Sequence, residues 1–349
     1  MQDAIDSAMS VVSYDTYVRQ PNDTLLPQSS SPVIIAAMLR LLNVRPGMQI
    51  LEVGTGSGYS TALLASLVGK SSSIISIDVD TNLVSRAAQL LASDGLDWVQ
   101  VVAGDGREGY SPGALFDRII AWATADALPE TWVKQLHPEG MIVAPVRLLP
   151  LANTTAVIQF QINKSGIPIG KQLIAGGFVR LSDQARYDWR GYAEEADIAI
   201  LENNQATAWV SAEWLRDEIA AHHKPSFLQM LLTADRKDSP LQSGEDVNAL
   251  RAYLLATHPQ SLTTSSTPML ESGVAIGCSQ PGSLALLSQI NAGYVEKGTG
   301  EASRILRGWI SDWRIAGRPD FKHLRAFCEK NETNWKVQVT LSSPSEIEG

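Results

Sequence analysis

Between residues 47 and 146, short apolar runs alternate with helical ones, and this alternation constrains the fold more than any other feature of the chain. MQILEV (48–53), SIISID (73–78), WVQVVAG (98–104), FDRIIAWA (116–123) and GMIVAPV (140–146) read as strands. STALLASLVG (60–69), NLVSRAAQLLASDG (82–95, with Thr81 as its expected cap) and LPETWVKQL (128–136) read as the intervening helices. Strand and helix in strict alternation predict a parallel sheet covered on both faces. TTAVIQFQIN (154–163) and KQLIAGGFVRLS (171–182) follow without a helix between them, which predicts an antiparallel pair at the sheet edge. Ahead of the first strand, Val33, Ile34, Met38, Leu41 and Leu42 recur at helical spacing behind Pro32.

The chain of 349 residues is too long for one core and predicts two domains, 1–185 and 186–349. The second is expected to be a smaller α+β unit. ATAWVSAEWLRDEIAAHH (206–223) and EASRILRGWISDWRIAG (301–317) read as helices there. GVAIGCSQPGSLALLSQI (273–290) reads as strand, turn and helix, WKVQVTL (335–341) as a last strand and SSPSEIEG as a frayed tail. Six of the nine tryptophans lie beyond residue 185: Trp189, Trp209, Trp214, Trp309, Trp313 and Trp335.

A net charge of −9, with no cluster of Lys and Arg, argues against a nucleic-acid partner. Residues 1–185 hold 12 basic and 16 acidic side chains, so neither half is a charged tail. Cys278 and Cys328 are too far apart for a metal motif, and His222-His223 has no companion ligand nearby, so no metal is expected. Reduced thiols, an N-terminus without a basic and apolar leader, and no apolar run of roughly 18 residues predict a cytoplasmic chain without a membrane partner. Oligomeric state is not legible.

The glycine stretch LEVGTGSGYSTALLA (51–65) falls at the first strand–helix turn, the ligand-binding edge of a doubly wound sheet. Gly54, Gly56 and Gly58 suit a backbone bent over a ligand, and the helix beyond carries free N–H groups. The spacing is G-x-G-x-G, and Glu52 precedes it, which disfavours a pyrophosphate and favours an ammonium or sulfonium. Asp78 ends the second strand, where an acid accepts from ribose hydroxyls, although a helix cap explains it as well. Asp105 follows the third strand, within reach of an adenine amine, with Gly106 allowing close approach. Amino-acid end, ribose and adenine in order describe S-adenosylmethionine.

With these residues in place, the chain resembles the protein-L-isoaspartate O-methyltransferase family. LEVGTGSGYSTALLA, VVAGDGREGY (101–110) and FDRIIAWATADALPETWVKQLHPEGMIVAPV (116–146) carry the likeness, over about residues 25 to 182. It implies a Rossmann-like class I methyltransferase fold with Gly54, Thr55, Gly56, Ser57, Gly58, Asp78, Val79, Asp105 and Gly106 lining the cofactor site. The family's threonine–isoleucine–serine segment falls on Gln28, Ser29 and Ser30, which implies Ser30 as the residue facing the acceptor carboxylate. Ser30 also reads as a helix cap. Ser29, Ser31 and Thr124 are the implied substrate contacts, and Trp122 is a bulky departure on the substrate side.

The acceptor is expected to be a peptide or protein carrying Asp or isoAsp. Longer relatives resemble enzymes that tailor ribosomally made peptides, in which a methyl ester closes to an aspartimide, and this is the leading expectation. General repair of isoaspartyl proteins is the alternative, and a cofactor-binding regulator or scaffold is the alternative of another class. Residues 186–349 are expected to select the acceptor.

Overall fold

The computed structural model describes residues 2–342 except 28, 112, 186–190, 203–204, 219–221 and 272. The chain forms two compact units. The first comprises Met1–Arg147, Thr155–Tyr187 and Ala326–Gln338, and the second Leu148–Thr154, Asp188–Arg325 and Val339–Gly349. The division therefore departs from a single boundary after residue 185: a strand pair near the C-terminus returns to the first unit.

In chain order the first unit carries α1 (Gln2–Val11), α2 (Tyr14–Val18), α3 (Pro32–Leu42), β1 (Gln49–Val53), α4 (Tyr59–Val68), β2 (Ser73–Asp78), α5 (Thr81–Ser93) and β3 (Gln100–Ala103). It continues with β4 (Phe116–Ala121), β5 (Leu128–Pro129), α6 (Glu130–Lys134), β6 (Leu136–Arg147), β7 (Thr155–Ile162) and β8 (Pro168–Ala175). The sheet order is β3-β2-β1-β4-β6-β7-β8. β3, β2, β1, β4 and β6 run parallel, while β7 and β8 join antiparallel, as expected. This is a doubly wound, mostly parallel Rossmann-like sheet.

Helix ends follow local chemistry. Asp80, not Thr81, caps α5, its carboxylate accepting from Asn82 and Leu83 N–H. Ser31, not Ser30, is the cap residue of α3, and its side chain makes no capping bond. α3 buries Ile35, Met38, Leu39 and Leu42, while Val33 stands 79% exposed, so the apolar stripe sits one step round from the expected face. Those residues join Ile5, Tyr17, Ile50 and Leu63 in a core that includes the N-terminal helices. α6 is shorter than LPETWVKQL, because Leu128 and Pro129 form a strand.

The second unit holds β9 (Ile198–Glu202), β10 (Gln205–Ala212), α7 (Lys224–Leu232), β11 (Asp235–Lys237), α8 (Val247–Thr257), β12 (Leu262–Ser266), β13 (Ala275–Gln280), β14 (Ser283–Ser288), β15 (Tyr294–Gly298) and α9 (Glu301–Ile315). Its antiparallel sheet has the order β11-β15-β14-β13-β12-β10-β9. Two expected helices are strands. ATAWVSA forms β10 between β9 and β12, and SLALLS forms β14 in a hairpin with β13. Both are largely buried on both faces, and a short buried run carries no period that separates helix from strand.

Of the late tryptophans, Trp209, Trp309, Trp313 and Trp335 are buried and Trp214 is half-buried, while Trp189 lies outside the described residues. They fill cores, so tryptophan content no longer argues for a docking surface. Cys278 and Cys328 are free thiols.

The last strands are β16 (Leu324–Lys330) and β17 (Asn334–Leu341). Within the first unit, Ala326 and Phe327 pair with Gly170 and Ile169 of β8, and Trp335 pairs with Leu128 of β5. The expected sheet edge at β8 is thus covered. The tail 343–349 lies outside the described residues.

Candidate functional site

The site forms where β1, β2, β3 and β4 end, at the carboxyl edge of the parallel strands. The loop after β1 is anchored from below: Gly54 N–H donates to the Ile77 carbonyl at 2.7 Å and Gly58 N–H to the Thr55 carbonyl at 2.9 Å. Gly56, at φ +51°, has open space where a Cβ would stand. Gly58, at φ +85°, has no such room, since a Cβ would come within 3.1 Å of Ala87 Cβ. Of these two glycines, Gly56 is the one facing open space, and Gly58 permits close packing of α5.

Asp78 ends β2 beside this loop. Its carboxylate accepts Gly56 N–H at 2.8 Å and Asp80 N–H at 3.0 Å. A carboxylate offers about four acceptor positions, so capacity remains for ribose hydroxyls. Burial pushes the Asp78 carboxyl up from its ordinary value, and the backbone donors pull it back. Val79 is half-buried next to it. Ser57 Oγ accepts Tyr59 N–H at 3.3 Å, and the Ser57 carbonyl accepts from Arg86.

Glu52 requires a correction. It is fully buried, and Ser60 (2.6 Å), Thr61 (2.5 Å), Ser76 (2.7 Å) and the Trp122 indole N–H (2.8 Å) all donate to it. Thr55 Oγ1 extends the network to Ser76 Oγ at 2.6 Å. Four protein donors occupy the carboxylate, so Glu52 ties β1, β2, α4 and the end of β4 together beneath the loop and does not face a ligand. Burial pushes its carboxyl up, opposed by these donors. Trp122 correspondingly points into the protein, at 8% exposure.

Two expectations on the adenine side also change. Asp105 is held by Arg107, whose Nη2 lies 2.7 Å from Oδ2, and Arg107 also reaches Asp183 at 3.1 Å. An adenine amine would share that carboxylate with a guanidinium. At Gly106 a Cβ would stand 2.3 Å from Val53 Cγ1, so glycine is demanded by protein packing and not by ligand approach.

Of the residues expected to meet the acceptor, Ser29 and Ser30 are half-buried and Ser31 is exposed. Ser29 Oγ donates to the Leu26 carbonyl at 2.9 Å. Gln28 lies outside the described residues. Tyr14, which the sequence did not single out, donates to the Ser30 carbonyl and packs on Tyr59 at the start of α4. Thr124 is 4% exposed and its hydroxyl both donates to the Phe178 carbonyl and accepts Phe178 N–H, so it secures the 178–181 segment instead of meeting substrate. Among the described residues no group of three or more His, Cys, Asp or Glu is arranged to hold a metal, and no helix is long and apolar enough to cross a membrane.

The fold, with an open glycine turn beside a strand-end aspartate, is that of a class I S-adenosylmethionine-dependent methyltransferase. The family model for protein-L-isoaspartate(D-aspartate) O-methyltransferase matches residues 5–186, and the chain belongs to that family. It is 44% identical to protein-L-isoaspartate O-methyltransferase 2 of Archaeoglobus fulgidus over 34% of this chain and 53% of that one. It is 35% identical to the protein-L-isoaspartate O-methyltransferase of Methanoculleus marisnigri over 46% and 70%. Several such relatives are matched over little more than half their length. A solved protein-L-isoaspartate O-methyltransferase aligns over 98% of this chain and 95% of its own, at 17% identity and a TM-score of 0.48.

Proposed function

We propose that the protein is an S-adenosylmethionine-dependent carboxyl O-methyltransferase acting on isoaspartyl residues of proteins and peptides. The observation that carries this reading is the family match over residues 5–186, joined to an open Gly56 turn held by Asp78. S-adenosylmethionine supplies an electrophilic methyl group when bound. Asp78 would hold its ribose, the Gly54–Gly58 turn its amino-acid end, and the Asp105–Gly106 turn would border the adenine.

The acceptor carboxylate, with an ordinary pKa near 4, is ionised at neutral pH and needs no base. The protein's task is placement, which can supply roughly 7–11 kcal/mol. Ser30 would donate a hydrogen bond to one carboxylate oxygen while the other meets the methyl group in line. Because Ser31 is the cap residue of α3, no capping role competes for the Ser30 hydroxyl. In the released ester the next residue's backbone nitrogen attacks the carbonyl, loses its proton and expels methanol. The succinimide so formed opens with water to aspartate or isoaspartate, without help from this chain.

Repair of damaged proteins is favoured over tailoring of one dedicated peptide, since the matched relatives are described as protein-L-isoaspartate O-methyltransferases. One observation keeps the dedicated-peptide reading: residues 187–349 lie outside the family match. Incubating the purified protein with S-adenosylmethionine and paired isoaspartyl and aspartyl peptides tests both. Methyl ester on many unrelated isoaspartyl peptides supports repair. Ester on aspartyl residues of one precursor alone supports tailoring. Cofactor binding without transfer to any acceptor would leave a regulator or scaffold.

A further inference from the structure

The glycine turn after β1 and the segment that carries Ser30 come from different parts of the chain, and one side chain bonds the first to the approach of the second. Arg86 lies in the second turn of α5, which follows Asp78 and the cap Asp80. Its Nη1 donates to the Ser57 carbonyl at 3.3 Å and its Nη2 to the Arg19 carbonyl at 3.2 Å.

Each carbonyl sits at a pivot. The Ser57 carbonyl shares a peptide plane with the Gly58 N–H, which closes the glycine turn on the Thr55 carbonyl at 2.9 Å. Gly58 is wedged between Ala87, the neighbour of Arg86, and Tyr17, whose atoms stand 3.1 and 3.4 Å from where a Cβ would be. The Arg19 carbonyl lies at the end of α2, where a tight hairpin begins. Arg19 bridges Leu25, Gln20 N–H donates to the Thr24 carbonyl at 2.8 Å, and Leu26 N–H donates to the Val18 carbonyl at 2.7 Å. Leu26 leads into the acceptor segment, its carbonyl accepting Ser29 N–H at 3.4 Å and Ser29 Oγ at 2.9 Å. Ser30 follows.

The hairpin has little else to hold it. Residues 21–25 are exposed, and among the described residues the hydrogen bonds of 20–25 all stay within 19–26. Ahead of it α2 is firmly seated, since Tyr17 and Val18 are buried and the Tyr17 hydroxyl donates to Asp94 at 2.7 Å. An exposed hairpin hinged on a fixed helix is therefore tied to the glycine turn through Arg86. Burial lowers the Arg86 pKa, and no carboxylate acts on it among the described residues, so its charge is directed to the two carbonyl dipoles. A planar guanidinium presents its donors at a fixed angle and so sets the spacing of two acceptors, which a single ammonium does not.

We propose that Arg86 is a positioning residue for methyl transfer: by gripping Ser57 and Arg19 at once, it keeps the Ser30 segment in register with a methyl donor held at the glycine turn. This rests on the methyl-transfer reading above, with Ser30 as the acceptor contact. In-line transfer tolerates little displacement, a shift of about 1 Å costing about 100-fold in rate. A hairpin hinged at α2 is free to shift once its tie is cut.

Arg86→Met and Arg86→Lys test this by three measurements: steady-state transfer from S-adenosylmethionine to an isoaspartyl peptide, calorimetry with S-adenosylhomocysteine, and hydrogen exchange resolved along the chain. In Arg86→Met, kcat should fall about 10- to 100-fold, while S-adenosylhomocysteine affinity stays within about threefold of wild type. Exchange should quicken across 19–30 and stay unchanged in β1 and β4. Arg86→Lys should lose nearly as much turnover, because charge remains without the two-point grip. In a Ser30→Ala background the further loss on Arg86→Met should shrink to about two- to threefold, since the arginine acts through the serine. Unchanged kcat in folded Arg86→Met overturns the role. Full turnover in Arg86→Lys overturns it too, because charge alone would then suffice. Faster exchange throughout the unit also overturns it, as a sign of general loosening, and so does an undiminished loss in the Ser30→Ala background. A wild-type protein that transfers methyl to no isoaspartyl peptide overturns the methyl-transfer reading, and the positioning role with it.

Discussion

The Tyr14 hydroxyl donates to the Ser30 main-chain carbonyl at 3.1 Å, and the Tyr14 ring meets that of Tyr59 edge-on, 5.0 Å away at 88°. Tyr59 opens α4 directly after Gly58. One side chain from the N-terminal helices therefore touches both the segment assigned to the acceptor and the helix that follows the cofactor turn. Tyr14→Phe removes the hydrogen bond and keeps the ring contact. Turnover should fall about two- to tenfold, the worth of one ordinary hydrogen bond, with cofactor affinity within about twofold of wild type. Steady-state kinetics beside calorimetry read this split, and equal losses in both would show a general loosening instead.

Glu52 predicts a stability defect and not a binding one. Glu52→Ala strands four interior donors, and the expected cost is about 3 kcal/mol or more. For a unit of this size that lowers the melting temperature by about 6–12 °C. Glu52→Gln should be milder and should bind cofactor nearly normally when folded. A well-folded Glu52→Gln protein with affinity reduced more than about tenfold would return Glu52 to the ligand.

Asp78→Ala should weaken cofactor binding roughly 10- to 150-fold, because ribose hydroxyls lose a charged acceptor. The pH dependence has a definite sign. The acceptor is the carboxylate, and burial raises its pKa above the ordinary 3.8, so affinity should drop as pH falls and should do so earlier than for an ordinary aspartate. Calorimetric titration between about pH 7 and 4 reads the slope, which should be absent in Asp78→Asn. An unchanged affinity in folded Asp78→Ala rejects the ribose assignment.

The return of β16 to β8 makes the first unit depend on distant sequence. A Cβ at Gly170 would stand 2.5 Å from Ala326 Cβ and 3.0 Å from Ile158 Cγ2. Gly170→Val should therefore push β16 away from β8 and lower the melting temperature of the cofactor-binding unit by several degrees. Ending the chain near Leu181 removes β16 and β17 altogether, and that fragment should unfold at lower temperature or aggregate through the bared edge. A fragment 2–182 as stable as the full chain, by cofactor-bound melting, would show that the added strands are ornamental.

Glu245 in the second unit accepts from Arg314 at 2.6 and 2.8 Å, from Arg318 at 3.0 Å and from Gln242 N–H at 2.8 Å. Together they draw its carboxyl down from 4.5 to about 2, the Arg314 hydrogen bond most of all. A lowered folded pKa means stability that is present above the unfolded value and lost as pH falls. Glu245→Gln should therefore cost about 1–3 kcal/mol at pH 7, discounted for the partly exposed arginines. Its melting-temperature gap from wild type should close between about pH 4.5 and 2. A gap that persists at pH 2 would mean the loss is one of packing.

The amino-acid sequence alone determined the parallel core and the position of the ligand edge. β1, β2, β3, β4 and β6 each contain a short apolar run bounded by turn or capping residues, and such local signals survive without knowledge of partners. The glycine turn at 54–58 and the strand-end Asp78 were legible for the same reason, since a tightly bent backbone and an acid at a strand end are properties of a few consecutive residues. What each polar side chain does there was decided only by the tertiary structure. Glu52 beside the glycine turn reads as a ligand contact until Ser60, Thr61, Ser76 and Trp122 are seen to converge on it from four elements. Asp105 reads as free until Arg107 closes on it, and Tyr14 is silent until Ser30 and Tyr59 arrive from 16 and 45 positions away. β10 and β14 were lost because an apolar run buried on both faces has no period. Their strand character is conferred by neighbours in the sheet, and a hydrogen-bonded neighbour remote in the chain leaves no mark on local sequence.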